Sequence, residues 1–446
     1  VDAVSGSNAT ACCGIGTNGA CQTINKAMEL IDAAQAKNVT INATVDGGGG
    51  DWSAPEGPFI MLGWGVELSA PGVYFTDNAG GGEIFDISNT WDDTVGYASI
   101  VGTVTSPVNI GFDSTGAQPN DAYAIVVDPN NTLFIANASV NGSASNTYNT
   151  AAFLVNAGAT LTLGQDQAGV NTGTVNIGNS LGAHATNGSE GILCQTDGVS
   201  LGCTINDAPL VGQSSVVIQG QESIGIDAYD FANITLSSNP VFGIAPSDAG
   251  FLQCAHKPDT VAIRAQGQAT ITLMNATIQC IAGDGFKLQS SANGNPSVTI
   301  DKATIQNTDL GIWASAGKAT VTNSTIQYNF NGVQQDTDGT NNGAIDLSGG
   351  GNTVVCSSNK ESSAGSANEG IDVSNTSTAN LNASNVAWDT TGPDYFECTG
   401  NTSTATCTCL AASCSDAGPF DDMDAVDFND AGINTTGATQ AATHCG

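Results

Sequence analysis

Positive charge is what this sequence has least of. The chain carries 8 Lys and Arg against 42 Asp and Glu over 446 residues, a formal charge of −34, and Arg264 is its only arginine. Charged residues make up 11% of it, against about 25% in ordinary soluble domains, while the acidic share of about 9% is near normal. The imbalance is therefore a shortage of Lys and Arg, not an excess of Asp and Glu. Such a shortage argues against a nucleic-acid partner, which needs basic side chains to displace counterions from phosphates. It argues equally against attraction to anionic membrane surfaces. Long apolar runs are also missing: none approaches the roughly 20 residues of a membrane span, so no membrane insertion is expected. Histidine is scarce, and His184, His256 and His444 are scattered without a nucleophile context, so no catalytic triad can be drawn.

What is present is enough to fold. Hydrophobic residues are 40% of the chain, and low charge density with many Val and Ile removes intrinsic disorder. Glycine is plentiful at 55 residues but follows no Gly-X-Y period, which excludes collagen. Asn, Thr and Ser carry the polar balance and suit turns and strands better than helices. The thirteen cysteines lie near the start (Cys12, Cys13, Cys21), in the middle (Cys194, Cys203, Cys254, Cys280, Cys356) and towards the end (Cys398, Cys407, Cys409, Cys414, Cys445). No paired CxxC exists and no His stands at finger spacing, which favours disulfides over zinc. That points to an extracellular or cell-surface setting, and the odd count leaves at least one thiol free or bonded to another chain. A start at Val1 rather than Met suggests a leader already removed. Repeated N-x-S/T sequons, among them Asn42, Asn137, Asn233, Asn275 and Asn323, would accept glycans only in a suitable host.

One helix is expected near the start. Thr23 can cap INKAMELIDAAQAK, whose Ile24, Ala27, Met28, Ile31 and Ala34 recur at helical spacing, giving a helix over 23–36. Strands are expected at Val39–Val45, Phe59–Leu62 and Val66–Leu68, with GGGGDW (Gly47–Trp52) as a loop. Most of the remainder is a repeat, plain in VAIRAQGQATITLMNATIQ (261–279), DGFKLQSSANGNPSVTIDKATIQ (284–306) and LGIWASAGKATVTNSTIQ (310–327). Each holds an alternating strand, a turn, a second strand and then Thr-Ile-Gln; the three isoleucines are Ile278, Ile305 and Ile326. Weaker copies lie at 122–140, 151–164, 225–236 and 369–388. Short strands in units of about 22 residues, with insertions between them, predict an all-β parallel β-helix in which stacked coils share one core. Roughly 13 coils would make a rod about 60 Å long. Residues 1–97 are read as an N-terminal cap with the first coils, 98–390 as the main coils and 391–446 as a Cys-rich acidic segment. The amphipathic helix is placed to cover one open end and the Cys-rich segment the other. Cys254 and Cys280, one coil apart, suit a disulfide.

GTNGACQTINKAMELIDAA (16–34) and APEGPFIMLGWGVELSAPGVYF (54–75) resemble the opening of secreted bacterial proteins grouped by an N-terminal domain of unknown function. IDLSGGGNTVVCSSNKESSAGSANEGIDVSNTSTANLNASNVAW (345–388) resembles their last coils, where Asn-x-x-Trp precedes the exit. The resemblance spans roughly residues 5–390 and implies a right-handed parallel β-helix of the pectate-lyase-like superfamily. GGGGDWSAPEG is longer than the Gly-Thr-Tyr exit usual there.

That superfamily implies polysaccharide chemistry, which the residues support poorly. A pectate-type lyase uses Arg or Lys as base with Ca²⁺, and here Arg264 and Lys287 each stand alone in a repeat strand, where a solvated face is the expectation; a charge of −34 would also repel a polyanion. Asn307-Thr308-Asp309 has the look of one polygalacturonase motif, but the paired Asp, the Gly-His-Gly and the basic triplet are missing, and Asp309, like Asp284, is expected at a coil turn. The densest oxygen cluster is Asp421, Asp422 and Asp424, with Asp427 and Asp430 nearby; it is a weak Ca²⁺ candidate without EF-hand spacing, and a solvated acidic loop is the plainer reading. No other cofactor is expected. Of Trp52, Trp64, Trp91, Trp313 and Trp388, the last two are expected to pack in or on coils. Three function classes stay open: a non-catalytic extracellular structural or surface protein self-associating end to end into disulfide-supported filaments, a carbohydrate-binding adhesin, and a secreted polysaccharide lyase or glycosidase. The first fits best, with self-association and a glycan as the expected partners.

Overall fold

A computed structural model describes residues 7, 20–36, 38–44, 50–52, 60–63, 65–76, 82–88, 96–112, 122–142, 150–178, 190–210, 212–219, 224–245, 254, 260–357, 371–388, 393–399, 406–410, 423–428 and 431–441. The chain forms two compact units, one of Val1–Asp227 with Ala232–Asn239, the other of Ala228–Phe231 with Pro240–Gly446.

In the first unit, Thr23 accepts a hydrogen bond from the Lys26 backbone N–H at 3.1 Å and caps helix Ile24–Ala33, which buries Ile24, Met28 and Ile31. The helix is shorter than expected. Gln35 takes a left-handed conformation (φ 53°) and the Ala36 N–H turns back to the Ile31 carbonyl at 3.0 Å, a C-terminal stop made without glycine. Strands follow in threes. The first coil runs through Thr40–Asn42, Gly50–Trp52 and Ile60–Leu62, so the end of the glycine run is a strand rather than a loop. The next coil runs through Val66–Ser69, Val73–Phe75 and Glu83–Ile87, and the one after through Tyr97–Val101, Val108–Ile110 and Tyr123–Val127. Thr132–Ala136, Ala138–Val140 and Ala151–Val155 continue the pattern. Each strand pairs in parallel with its counterpart one coil on. Three parallel sheets visited in rotation are the connectivity of a parallel β-helix.

The second unit repeats this plan. Its first sheet contains Thr270–Met274, Ser297–Asp301, Gly317–Thr322 and Gly343–Asp346; its second contains Thr277–Gln279, Thr304–Gln306, Thr325–Gln327 and Thr353–Val355. The third contains Val261–Gln266, Asp284–Gln289, Leu310–Ala314, Asn331–Gln335, Ile371–Asn375 and Met423–Asp427. The pattern then changes: Tyr395–Thr399 pairs in parallel with Met423–Asp427 but antiparallel with Thr406–Cys409.

The core is made of columns of like residues. Ile278, Ile305 and Ile326 pair in direct register and are fully buried, as their spacing in the sequence suggests. Ile110, Val140, Ile177 and Ile218 do the same in the first unit. Each such side chain contributes about 1.5–3 kcal/mol through burial. Polar residues stack too: Gln327 Nε2 donates to Gln306 Oε1 at 3.0 Å, and Gln306 Nε2 to Gln279 Oε1 at 3.4 Å.

The abundance of Asn has a backbone cause. Asn137, Asn275, Asn323 and Asn385 have φ between 50° and 59° and turn the chain from the first sheet into the second; Asn tolerates this region better than other side-chain-bearing residues. Each of the first three is followed by a buried Ala or Ser and then by Ser or Thr at or near the head of the next strand, as in Asn275-Ala276-Thr277. The sequons at Asn137, Asn275 and Asn323 therefore mark coil corners, whereas Asn42 and Asn233 lie in strands.

In the first unit, Glu83 and Asp86 share a strand with Asp128 beside them, and burial, then Asp128 and Glu83, push the Asp86 carboxyl up to about 7. The folded state thus holds this proton more tightly than the unfolded chain. Its stabilising contribution is complete below the ordinary carboxyl range and disappears as pH rises through about 7. Melting temperature should accordingly fall between pH 5 and 8, and Asp86→Asn should flatten that slope. An unchanged slope in the variant would assign the effect to other groups.

Candidate functional site

The third sheet of the second unit sets two of the chain's eight basic residues side by side. In Val261–Gln266, Ile263 and Ala265 are buried while Arg264, between them, faces outward by strand alternation. Parallel pairing sets Arg264 opposite Lys287, Lys287 opposite Trp313, and Trp313 opposite Gln334. Successive strands lie about 4.8 Å apart, so four outward side chains form one row. Behind them Ile263, Phe286, Ile312 and Val333 make the matching inward row, all essentially buried.

The cations of the row are held by aromatic and acidic neighbours. The Lys287 ammonium stands 4.4 Å from the Trp313 ring centroid and 3.8 Å from the Asp284 carboxylate. The Arg264 guanidinium lies 5.9 Å from the Tyr229 ring centroid and donates to its hydroxyl at 3.5 Å. A partly desolvated cation–aromatic contact is worth about 0.5–2 kcal/mol. The Lys287 side chain is 24% exposed, so it lies on the sheet instead of extending into water as a lone strand lysine would. Burial pushes the Asp284 carboxyl up to about 6; Lys287 pulls it down and Asp309 pushes it further up. The buried Trp313 indole N–H has no hydrogen-bond partner among the described residues, so packing and the lysine fix the ring. The result is a strip that offers an aromatic ring, two cations and an amide, with the buried Asp284 carboxyl held against Lys287.

The other candidates are placed differently. Trp388 is fully buried, as expected of a coil residue. Asn307 is buried at a left-handed corner (φ 55°), and Thr308 donates its backbone N–H and its hydroxyl to Asn329 Oδ1 at 3.0 and 2.9 Å; these are structural roles. Cys254 and Cys280 are bonded, with Cα atoms 5.6 Å apart, and so are Cys194 and Cys203 at 5.5 Å. Cys21, Cys356, Cys398 and Cys409 are also disulfide-bonded. Cys407 lies in strand Thr406–Cys409; Cys12, Cys13, Cys414 and Cys445 lie outside the described residues. So do Asp421, Asp422, Asp430 and the three histidines. Asp424 is buried and accepts the Asp394 backbone N–H at 2.7 Å. Among the described residues no group of three or more His, Cys, Asp or Glu is arranged to hold a metal ion, and no helix is long and apolar enough to cross a membrane.

Fold and site together define a class: a β-helical solenoid with a cation–aromatic strip on one sheet. Comparison with protein-family models, curated proteins and solved structures gives no match.

Proposed function

We propose that this chain is a non-catalytic extracellular scaffold protein that binds glycan through the Arg264–Lys287–Trp313–Gln334 strip. The reading includes a right-handed coil of the pectate-lyase-like kind, with helix Ile24–Ala33 covering its first turn. The in-register placement of an aromatic ring among cations and an amide on four successive strands carries it, because aromatic faces with mixed hydrogen-bonding groups around them suit sugars, whose ring faces are apolar and whose edges are polar. Disulfide bonding supports the extracellular setting. Affinity electrophoresis in gels containing soluble polysaccharide should retard the wild-type chain and leave Trp313→Ala unretarded. Equal mobility of the two would contradict the proposal.

A glycosidase reading draws on one observation, the raised pKa of Asp284 beside Lys287 and Asp309, since perturbed carboxyls cluster at catalytic sites. Release of reducing ends from a bound polysaccharide, lost in Asp284→Asn, would move the protein into that class.

A further inference from the structure

We infer that the strip takes a neutral, polyhydroxylated chain laid across the strands, each sugar unit meeting one coil, and discriminates against acidic polymers. The inference rests on the glycan reading above and deepens it. Charge balance carries it. Arg264 and Lys287 bring two positive charges and Asp284 and Asp309 two carboxyls, with Lys287 and Asp284 only 3.8 Å apart. A polyanion would meet those carboxyls along with the cations, inside the field of a chain of charge −34. A hydroxyl can use both signs. It donates to the Gln334 carbonyl, and it accepts from the guanidinium, the ammonium and the Gln334 amide, while the buried Asp284 carboxyl offsets the charge of Lys287 beneath it.

Geometry agrees. Interstrand steps of about 4.8 Å are close to the length of one hexopyranose unit, so consecutive units address consecutive strands. Lys287 stands over the Trp313 ring in the free protein. A pyranose that packs its C–H face on the ring takes that place, and Lys287 keeps Asp284 as its partner.

Titration calorimetry of the full chain near neutral pH and physiological ionic strength tests this with cellohexaose, mannohexaose and hexagalacturonate as probes. At least one neutral hexasaccharide should bind about tenfold or more tightly than hexagalacturonate. Trp313→Ala should weaken that binding about thirtyfold, the scale of an aromatic hot spot, and Asp284→Asn should narrow the gap between neutral and acidic probes. Hexagalacturonate binding as tightly as the neutral sugars, and lost in Trp313→Ala, would overturn neutral selectivity while leaving the glycan reading in place. If no probe binds, or if Trp313→Ala and Lys287→Ala both remain folded by circular dichroism and bind like wild type, the glycan reading falls as well.

Discussion

Gly311→Ala is expected to destabilise the second unit by about 3 kcal/mol, the upper end of what one overpacked methyl costs. Gly285, Gly311 and Gly332 stand one above another at the start of third-sheet strands. A Cβ on Gly311 would run into the Gly332 carbonyl oxygen, with Ile326 Cγ2 at 3.1 Å closing the other side. Neither neighbour can give way. The carbonyl belongs to the sheet ladder, and Ile326 is a fully buried member of the isoleucine column. Urea unfolding should show a lower midpoint with little change in slope, and the Trp313 strip, two residues along, should lose ligand affinity in parallel. A midpoint within experimental error of wild type would mean that the coils are not stacked this closely.

The second large effect belongs to Trp388, the biggest fully buried side chain among the described residues. Trp388→Ala should cost about 3–5 kcal/mol, the usual range for deleting a buried large aromatic. Trp388→Phe should cost less, because most of the volume is kept. Chemical denaturation of both variants measures this. Equal, small losses would place the indole outside the core. The position also explains a short sequence pattern: Asn385 turns the corner at φ 59°, Val386 is buried, and strand Ala387–Trp388 then plugs the coil. Asn-x-x-Trp is therefore a piece of coil architecture.

The fold was legible because its period is written in residues that cannot be moved. Thr-Ile-Gln recurs where a three-residue strand must present one side chain to the core, and the isoleucines pair directly once the chain is coiled. Cys254 and Cys280 were visible as a pair for the same reason. The cation–aromatic strip is not legible in the sequence. Arg264, Lys287 and Trp313 are separated by insertions of unequal length, so in the sequence each stands as a solitary residue on its own strand. Only the register, which follows from the inward residues and not from the outward ones, brings them side by side. The glycine run misled in the opposite direction. GGGGDW (Gly47–Trp52) reads as a loop, yet Gly50–Trp52 pairs with Val73–Phe75, because a neighbouring parallel strand supplies the order that local propensity lacks.

Two of the eight basic residues stand in neighbouring register positions, and Lys287 is paired with an acid and laid on an aromatic ring. A crystal of the protein soaked with a neutral hexasaccharide tests the account most directly. The expected result is sugar density over the Trp313 ring running across the strands, with Lys287 turned toward Asp284. Saturating ligand that leaves Lys287 on the Trp313 ring, with sugar bound elsewhere or nowhere, would contradict it.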